Sequence, residues 1–507
     1  MARLPVVNGD EDNWGSVLVE FLQVEHDTDG TLKRLKRFSY DVVVYIDGSS
    51  VIARDYKGDL IASGTAGTDD ASVAQSALNN LTNGRTWKEK VILCGNFSFG
   101  SSVAVPDYTI LIIDGLIKQS SDDISLISLT ESENVEIIGG ILDGDKATNT
   151  SGIGIELDGV KNVTIKRILF KDFQDQAVYI KGTNQRFSNI IIGSSVFLDI
   201  DKQAILTQSS SGDYLTVNKC YFKDCDSDGE TAVIHPYNDV NYSVITNNII
   251  LNSGRAAIQV SHGTDLAVGT IIAGNIIKNE SFSSFGIQVY YAYETCIMGN
   301  IIEMCDYGIH IQKGDITTVT GNNIKDINYH ALCLVRSQGC QIGNNNFIRF
   351  SVDGDNLYDG VHIDNEGTTP YCQFNTISDN YFDGWSASGV FAKYAINEVD
   401  SNNDYNVIIG NNIKNVHTGI NKLGSNTIVN SNRGYMTENK GSATIANGNT
   451  SVTVNHGLVS TPTNIQVTGT HSEVKNAYAI NPGSTSFDIK VDSAVSADRT
   501  VYWKAEV

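Results

Sequence analysis

The chain has 507 residues, 41 % of them hydrophobic and 19 % charged, and its 46 Gly against 6 Pro and 4 Met favour strands and tight turns over helices. A formal net charge of −22, with no Lys/Arg-rich run to offset it, excludes nucleic acid as a partner. No stretch of ~18 apolar residues exists to cross a membrane as a helix, and eight scattered Cys without a CxxC pair read as mainly buried, reduced thiols and not as a metal–sulfur site.

The N-terminus, Met1-Ala-Arg-Leu-Pro-Val-Val-Asn-Gly-Asp10, lacks the apolar core of a signal peptide. Release by lysis or a dedicated machine, giving an extracellular or virion-associated protein, is the expectation, with retention inside the cell as the alternative. Residues 1–40, with Trp14-Gly15, Phe21-Leu22, His26 and Asp29-Gly30, are too few to fold alone. Residues 41–63 alternate apolar and polar (Val42, Val44, Ile46, Val51) and predict a hairpin turning at Asp47-Gly48. A leader and hairpin are therefore placed over 1–63, and Thr68-Asp-Asp-Ala-Ser72 opens a predicted helix over Val73–Leu81.

From residue 112 a short unit recurs twelve times, from Ile112-Gly115-Ile117 through Ile245-Asn248-Ile250 and Ile342-Asn345-Phe347 to Ile408-Asn411-Ile413. Starts are separated by 25, 28, 27, 25, 28, 27, 25, 22, 23, 35 and 31 residues. That period, with two or three short strands per unit, predicts an all-β chain of stacked coils, a right-handed parallel β-helix over 64–435. Asn recurs at one coil position from Asn248 to Asn411 and predicts a buried amide ladder along the axis. A second strand per coil carries a small residue followed by apolar alternation, as in Gly308-Ile-His-Ile-Gln312 and Gly360-Val-His-Ile-Asp364. Its intervening positions are expected to face outward. After Tyr435 the pattern gives way to short alternating strands, predicting a small β-sandwich over 436–507 in which His456 is a turn residue.

Thr68–Ser72, the helix after it and the coil pattern together resemble the pectate-lyase-like β-helix superfamily over roughly residues 60–435. The resemblance implies a helix capping the open end of the coils. It is specific for fold and not for activity, because that superfamily holds lyases, hydrolases, epimerases, tailspikes and adhesins. Both termini resemble segments of phage-tail-like β-helix proteins, which implies attachment, glycan binding or assembly as a homotrimer.

In the predicted register the outward positions stack into columns. One runs Gln259, Gln288, His310, Cys333, His362, Phe391; the next runs Ser261, Tyr290, Gln312, Val335, Asp364, Lys393. Just past the strand lie His262, Tyr291, Lys313, Arg336, Asn365 and Tyr394. Such a gathering of His, Lys, Arg and Tyr in so acidic a chain points to an acidic polysaccharide lying along the axis, each coil addressing about one sugar. Uronate β-elimination or C5 epimerisation needs a neutraliser of the carboxylate, a base and an acid. Lys313 and Arg336 are candidates for the first, His362 or His310 for the second, and Tyr290 or Tyr291 for the third, with Asp364 beside them. Gln288, His262, Lys393 and Tyr394 are expected to bind substrate. The segment from Tyr358 to Asp364 holds Tyr, His and Asp as alginate epimerase sites do, but reads His-x-Asp where those read Asp-x-His. Asp353, Asp355 and Asp359 form a calcium-loop candidate, although the chemistry requires no cofactor. A non-catalytic glycan-binding tailspike or adhesin is the second reading. A glycoside hydrolase using a carboxylate pair among Asp359, Asp364 and Glu366 is the third.

Overall fold

A computed structural model describes residues 40–507 except 209–211, 230–231, 263–265, 283–284, 386–388 and 390. The leader expected over residues 1–40 lies outside the described residues but for Tyr40. The chain divides into two compact units, Met1–Glu230 and Thr231–Val507.

In the first unit, strands Val42–Asp47 and Ser50–Asp55 pair antiparallel from Val42↔Asp55 to Asp47↔Ser50, and Gly48 takes the left-handed conformation that the tight turn needs (φ +60°). A third strand, Leu60–Thr65, extends the hairpin. The helix spans Asp70–Asn79, three residues earlier than predicted at its start. Buried Asp70 explains the shift: its carboxylate accepts from Ser98 N at 2.7 Å and Gly67 N at 2.9 Å, tying the helix start to neighbouring backbone. Ala71, Val73, Ala74, Ala77 and Leu78 form its buried face. Beyond it the strands stack in parallel, beginning with Glu89–Phe99 on Thr109–Gln119, paired over all 11 residues. Coil-to-coil register keeps like on like. Phe170, Phe197 and Phe222 stack inside at ring separations of 4.7 and 4.6 Å.

The second unit repeats the scheme. Val244–Thr246, Ile271–Ala273, Cys296–Met298 and Thr318–Thr320 pair parallel in one stack. Ala256–Val260, Phe285–Tyr290, Tyr307–Gln312, Leu332–Val335, Asp359–Asp364, Ala392–Glu398 and Val416–Asn421 do so in another. The amide ladder is present: each buried Asn offers Oδ1 to the backbone N–H and side-chain Nδ2 of its counterpart one coil earlier, at 2.9–3.0 Å from Asn248 to Asn432. A second ladder, unforeseen, runs through Asn375 and Asn406, whose Oδ1 atoms accept from Cys340 N and Asn375 N. After residue 437 two three-stranded antiparallel sheets enclose Ile445, Phe487, Ile489, Val501 and Trp503. His456 sits buried there, accepting Leu458 N–H at Nδ1 and placing Nε2 3.1 Å from Gly483 O. No helix among the described residues is long and apolar enough to cross a membrane.

Candidate functional site

The column through His362 lies in the second unit, where register sets Gln259↔Gln288, Gln288↔His310, His310↔Cys333 and Cys333↔His362. The next partner is Asn397, not Phe391: the strand begins at Ala392, so His362 pairs with Asn397 and Asp359 with Tyr394. Gly389-Val-Phe-Ala-Lys393 shows the same small-then-apolar pattern as the strands before it, but the strand starts three residues later, at Ala392. Lys393 therefore leaves the Asp364 column; its backbone N–H bonds to Tyr358 O and its Nζ lies 5.2 Å from the Tyr394 ring.

A second correction concerns exposure. Gln259, Gln288 and Cys333 point away from the coil interior as expected yet are buried, Gln288 with only 5 % of its surface accessible. Alternation fixes which way a side chain points but not what leans over it. Here rings rise on both sides of the column. Phe285 and Tyr307 meet His310 edge-on, and Tyr307, Tyr329, Tyr358 and His330 continue that wall. Tyr237, His262, Tyr290 and Tyr291 form the other.

At the end of this trough, two adjacent coils bring together His330, Asp359 and His362. The Asp359 side chain is 2 % exposed; its Oδ2 lies 2.7 Å from His362 Nδ1 and accepts Asn397 Nδ2 at 2.9 Å. Its backbone N–H donates to His330 Nδ1 at 3.0 Å, and the two imidazole rings lie 4.0 Å apart. A carboxylate only accepts, so Asp359 places the proton of His362 on Nδ1 and leaves Nε2 as the basic lone pair. The His362 side chain is 20 % exposed, with Nε2 3.9 Å from Asp364 Oδ2. Neither His330 nor Asn397 was foreseen. The overlooked signal is the residue just before each small residue, Phe285, Tyr307, His330 and Asp359, a column of its own.

Burial drives the pKa of His310 down to about 4, which leaves it a weaker base than an ordinary imidazole. Burial likewise takes His330 to about 2, aided by the charges of His362, His310 and Lys393, and the enclosed His235 to about 3. Tyr290 lies in the Gln288 coil, three coils from His362, about 14 Å at the ~4.8 Å strand spacing. Neither it nor Tyr291 can serve as acid beside His362. Tyr291 instead hydrogen-bonds Lys313, whose Nζ stands 4.0 Å from the ring centroid. Arg336 pairs with Glu366 at 2.5 Å and donates to Thr368 Oγ1 at 3.3 Å. His262 stacks on Tyr290 at 5.4 Å.

The calcium-loop carboxylates do not converge. Asp355 accepts Phe391 N–H at 2.8 Å and meets His417 Nε2 at 3.0 Å, while Asp359 turns to the histidines. Among the described residues His330, Asp359 and His362 form the one group of three whose ligand atoms lie within 4.8 Å of one another.

The buried histidines make acid sensitivity testable. Their folded pKa values lie below the ordinary 6.5, so below pH 6.5 the unfolded chain takes up protons that the folded chain refuses. Stability is full above pH 6.5 and falls as pH drops toward 4 and 3. At pH 5 His235 and His310 are expected to cost about 2 kcal/mol each. Urea unfolding at pH 7.5, 6 and 5 checks this; a midpoint that does not move refutes it.

A family model described as "Right handed beta helix region" matches residues 232–413, and one described as "Periplasmic copper-binding protein (NosD)" matches 111–315, ending before His330. No curated protein matches the chain. Among solved structures, the A-module of Azotobacter vinelandii mannuronan C-5 epimerase AlgE6 is similar at 15 % identity and a TM-score of 0.52, over 73 % of this chain and 96 % of that one. A mutant tailspike protein of E. coli bacteriophage HK620, solved with a pentasaccharide, is similar at 14 % identity and a TM-score of 0.54, over 89 % and 92 %. Tailspike protein 3 of bacteriophage CBA120 is similar at 13 % and 0.55, over 77 % and 64 %. At such identities the likeness speaks for fold, and this chain is a right-handed parallel β-helix protein.

Proposed function

We propose that the second unit binds an acidic, uronate-containing polysaccharide along the trough and breaks or epimerises it by removing the C5 proton with His362. The observation that carries this reading is the buried Asp359 carboxylate, held by Asn397 and aimed at His362 Nδ1, which leaves Nε2 basic and partly open. Abstraction from carbon next to a carboxylate needs positive charge to hold the developing enolate. Lys393 from the following coil supplies it, joined by Arg336 from the preceding one once the substrate carboxylate displaces Glu366 from it. Tyr394, in register with Asp359, is the proton donor to the leaving oxygen or the opposite ring face. Tyr290, Tyr291 and His262 give stacking surface for sugars further along the chain.

A hydrolase is less well supported, because it needs two available carboxylates. Asp359 is buried and bonded twice, and Glu366 is engaged by Arg336. A binding-only spike or adhesin is the second reading, favoured by the aromatic wall at Tyr237, His262 and Tyr290, which can hold a glycan well away from His362.

The test incubates the protein with alginate, polygalacturonate, glycosaminoglycans and bacterial capsules. Ultraviolet absorbance of unsaturated ends, reducing ends and C5 proton exchange are followed. Unsaturated ends or C5 exchange support the proposal. Reducing ends without unsaturation transfer it to hydrolysis, and silence with binding intact transfers it to the spike.

A further inference from the structure

We infer that His330, Asp359 and His362 also form a binding site for one divalent ion of the zinc class, Zn2+, Co2+ or Ni2+. The three ligands come from two adjacent coils whose spacing the sheet fixes, and one donor atom from each lies within 4.8 Å of the others. Donors around a tetrahedral ion with ~2.0 Å bonds sit roughly 3.3 Å apart. Asp359 Oδ2 already stands 2.7 Å from His362 Nδ1 and 3.6 Å from His330 Nδ1, whose bond from the Asp359 backbone N–H the ion displaces. Adjustments of about 0.6 Å or less bring both separations to that value.

An independent observation points to a ligand as well. Asp359 Oδ1 is buried and accepts no hydrogen bond from any of the described residues. An enclosed carboxylate oxygen without a donor is costly in a folded chain, and a cation at this place removes the cost. The walls reinforce the fit: Tyr307 and Tyr358 pack against His330 at 6.2 and 5.2 Å, and Asn397 steadies the carboxylate, as groups around a metal centre do. Two imidazoles and one carboxylate select borderline transition ions over Ca2+ and Mg2+, which prefer all-oxygen sets. The ion takes His362 Nδ1 in place of its bond to Asp359, so the ring's proton moves to Nε2 and the basic lone pair is lost. Binding therefore silences turnover, a consequence that rests on the proposed role of His362, whereas the binding site itself does not.

The experiment titrates Co2+ into the chelator-treated full-length protein, following visible absorption and calorimetric stoichiometry, and repeats the titration with Zn2+ and Ca2+. One Co2+ per chain is expected, displaced by Zn2+ and not by a tenfold excess of Ca2+. His330→Ala and Asp359→Asn should each weaken binding at least tenfold, while His417→Ala leaves it unchanged. His330→Gln, with circular dichroism matching the parent, guards against loss through misfolding. Absence of Co2+ binding, binding that survives His330→Gln and Asp359→Asn, or equal affinity for Ca2+ overturns the site. Stoichiometric binding without inhibition of an active preparation overturns the base role of His362 and leaves the site standing.

Discussion

His362→Ala lowers turnover of the responsive uronate polymer by ~10²–10⁴-fold, the contribution of a well-placed general base, with KM nearly unchanged. The separation of kcat from KM follows from geometry. His362 is one partly covered ring in a trough whose sugar contacts are spread over several coils, so removing it takes away chemistry and little binding. Asp359→Asn is the sharper test. The side-chain volume stays, but the carboxylate charge that stabilises the imidazolium formed when Nε2 takes the proton is lost. A loss comparable to that of His362→Ala is expected, with the fold intact by circular dichroism. Turnover in His362→Ala above a tenth of the parent value would remove this residue as the base.

The parallel between sequence and structure is closest where a single coil carries its own signal. The period of 22–28 residues and the Asn at one position predict coils and ladder because each coil repeats the same local problem: a buried turn whose backbone N–H needs an acceptor. His362 was visible for the same reason, since alternation along Gly360-Val-His-Ile-Asp364 sets its direction. What was not legible depends on neighbours. The sequence of 383–391 hides where the next strand resumes, so the repeat alone points to Phe391 where the register sets Asn397 opposite His362. His330 precedes its strand and carries no alternation of its own; only the backbone bond from Asp359 in the next coil shows where it lies. Burial of Gln259, Gln288 and Cys333 comes from rings contributed by other coils, which no one-coil pattern contains.

Asn345→Leu, in the middle of the amide ladder, is expected to destabilise the second unit by about 3–6 kcal/mol. The Asn345 side chain accepts from Asn322 N and Asn322 Nδ2, both at 2.9 Å, and donates to Val319 O at 2.9 Å and Asn380 Oδ1 at 3.0 Å. Leucine fills the space but leaves the Asn322 N–H and amide and the Val319 carbonyl without these partners in a place water does not reach. Each stranded group costs about 1–3 kcal/mol. The neighbouring Asn346, exposed at the start of the strand that follows, is the matched control: Asn346→Ala should change the unfolding free energy by no more than about 0.5 kcal/mol. Equal effects at the two positions would mean that the ladder contributes nothing beyond a surface amide. Because each coil meets chiefly its neighbours, the damage should be local and broaden the transition. It also reaches the site. Asn322 and Asn345 belong to the two coils that carry His330 on one side and Asp359 with His362 on the other, so loosening their bond releases the spacing on which that cluster depends. Asn345→Leu should therefore weaken Co2+ binding as well as stability, while Asn346→Ala changes neither.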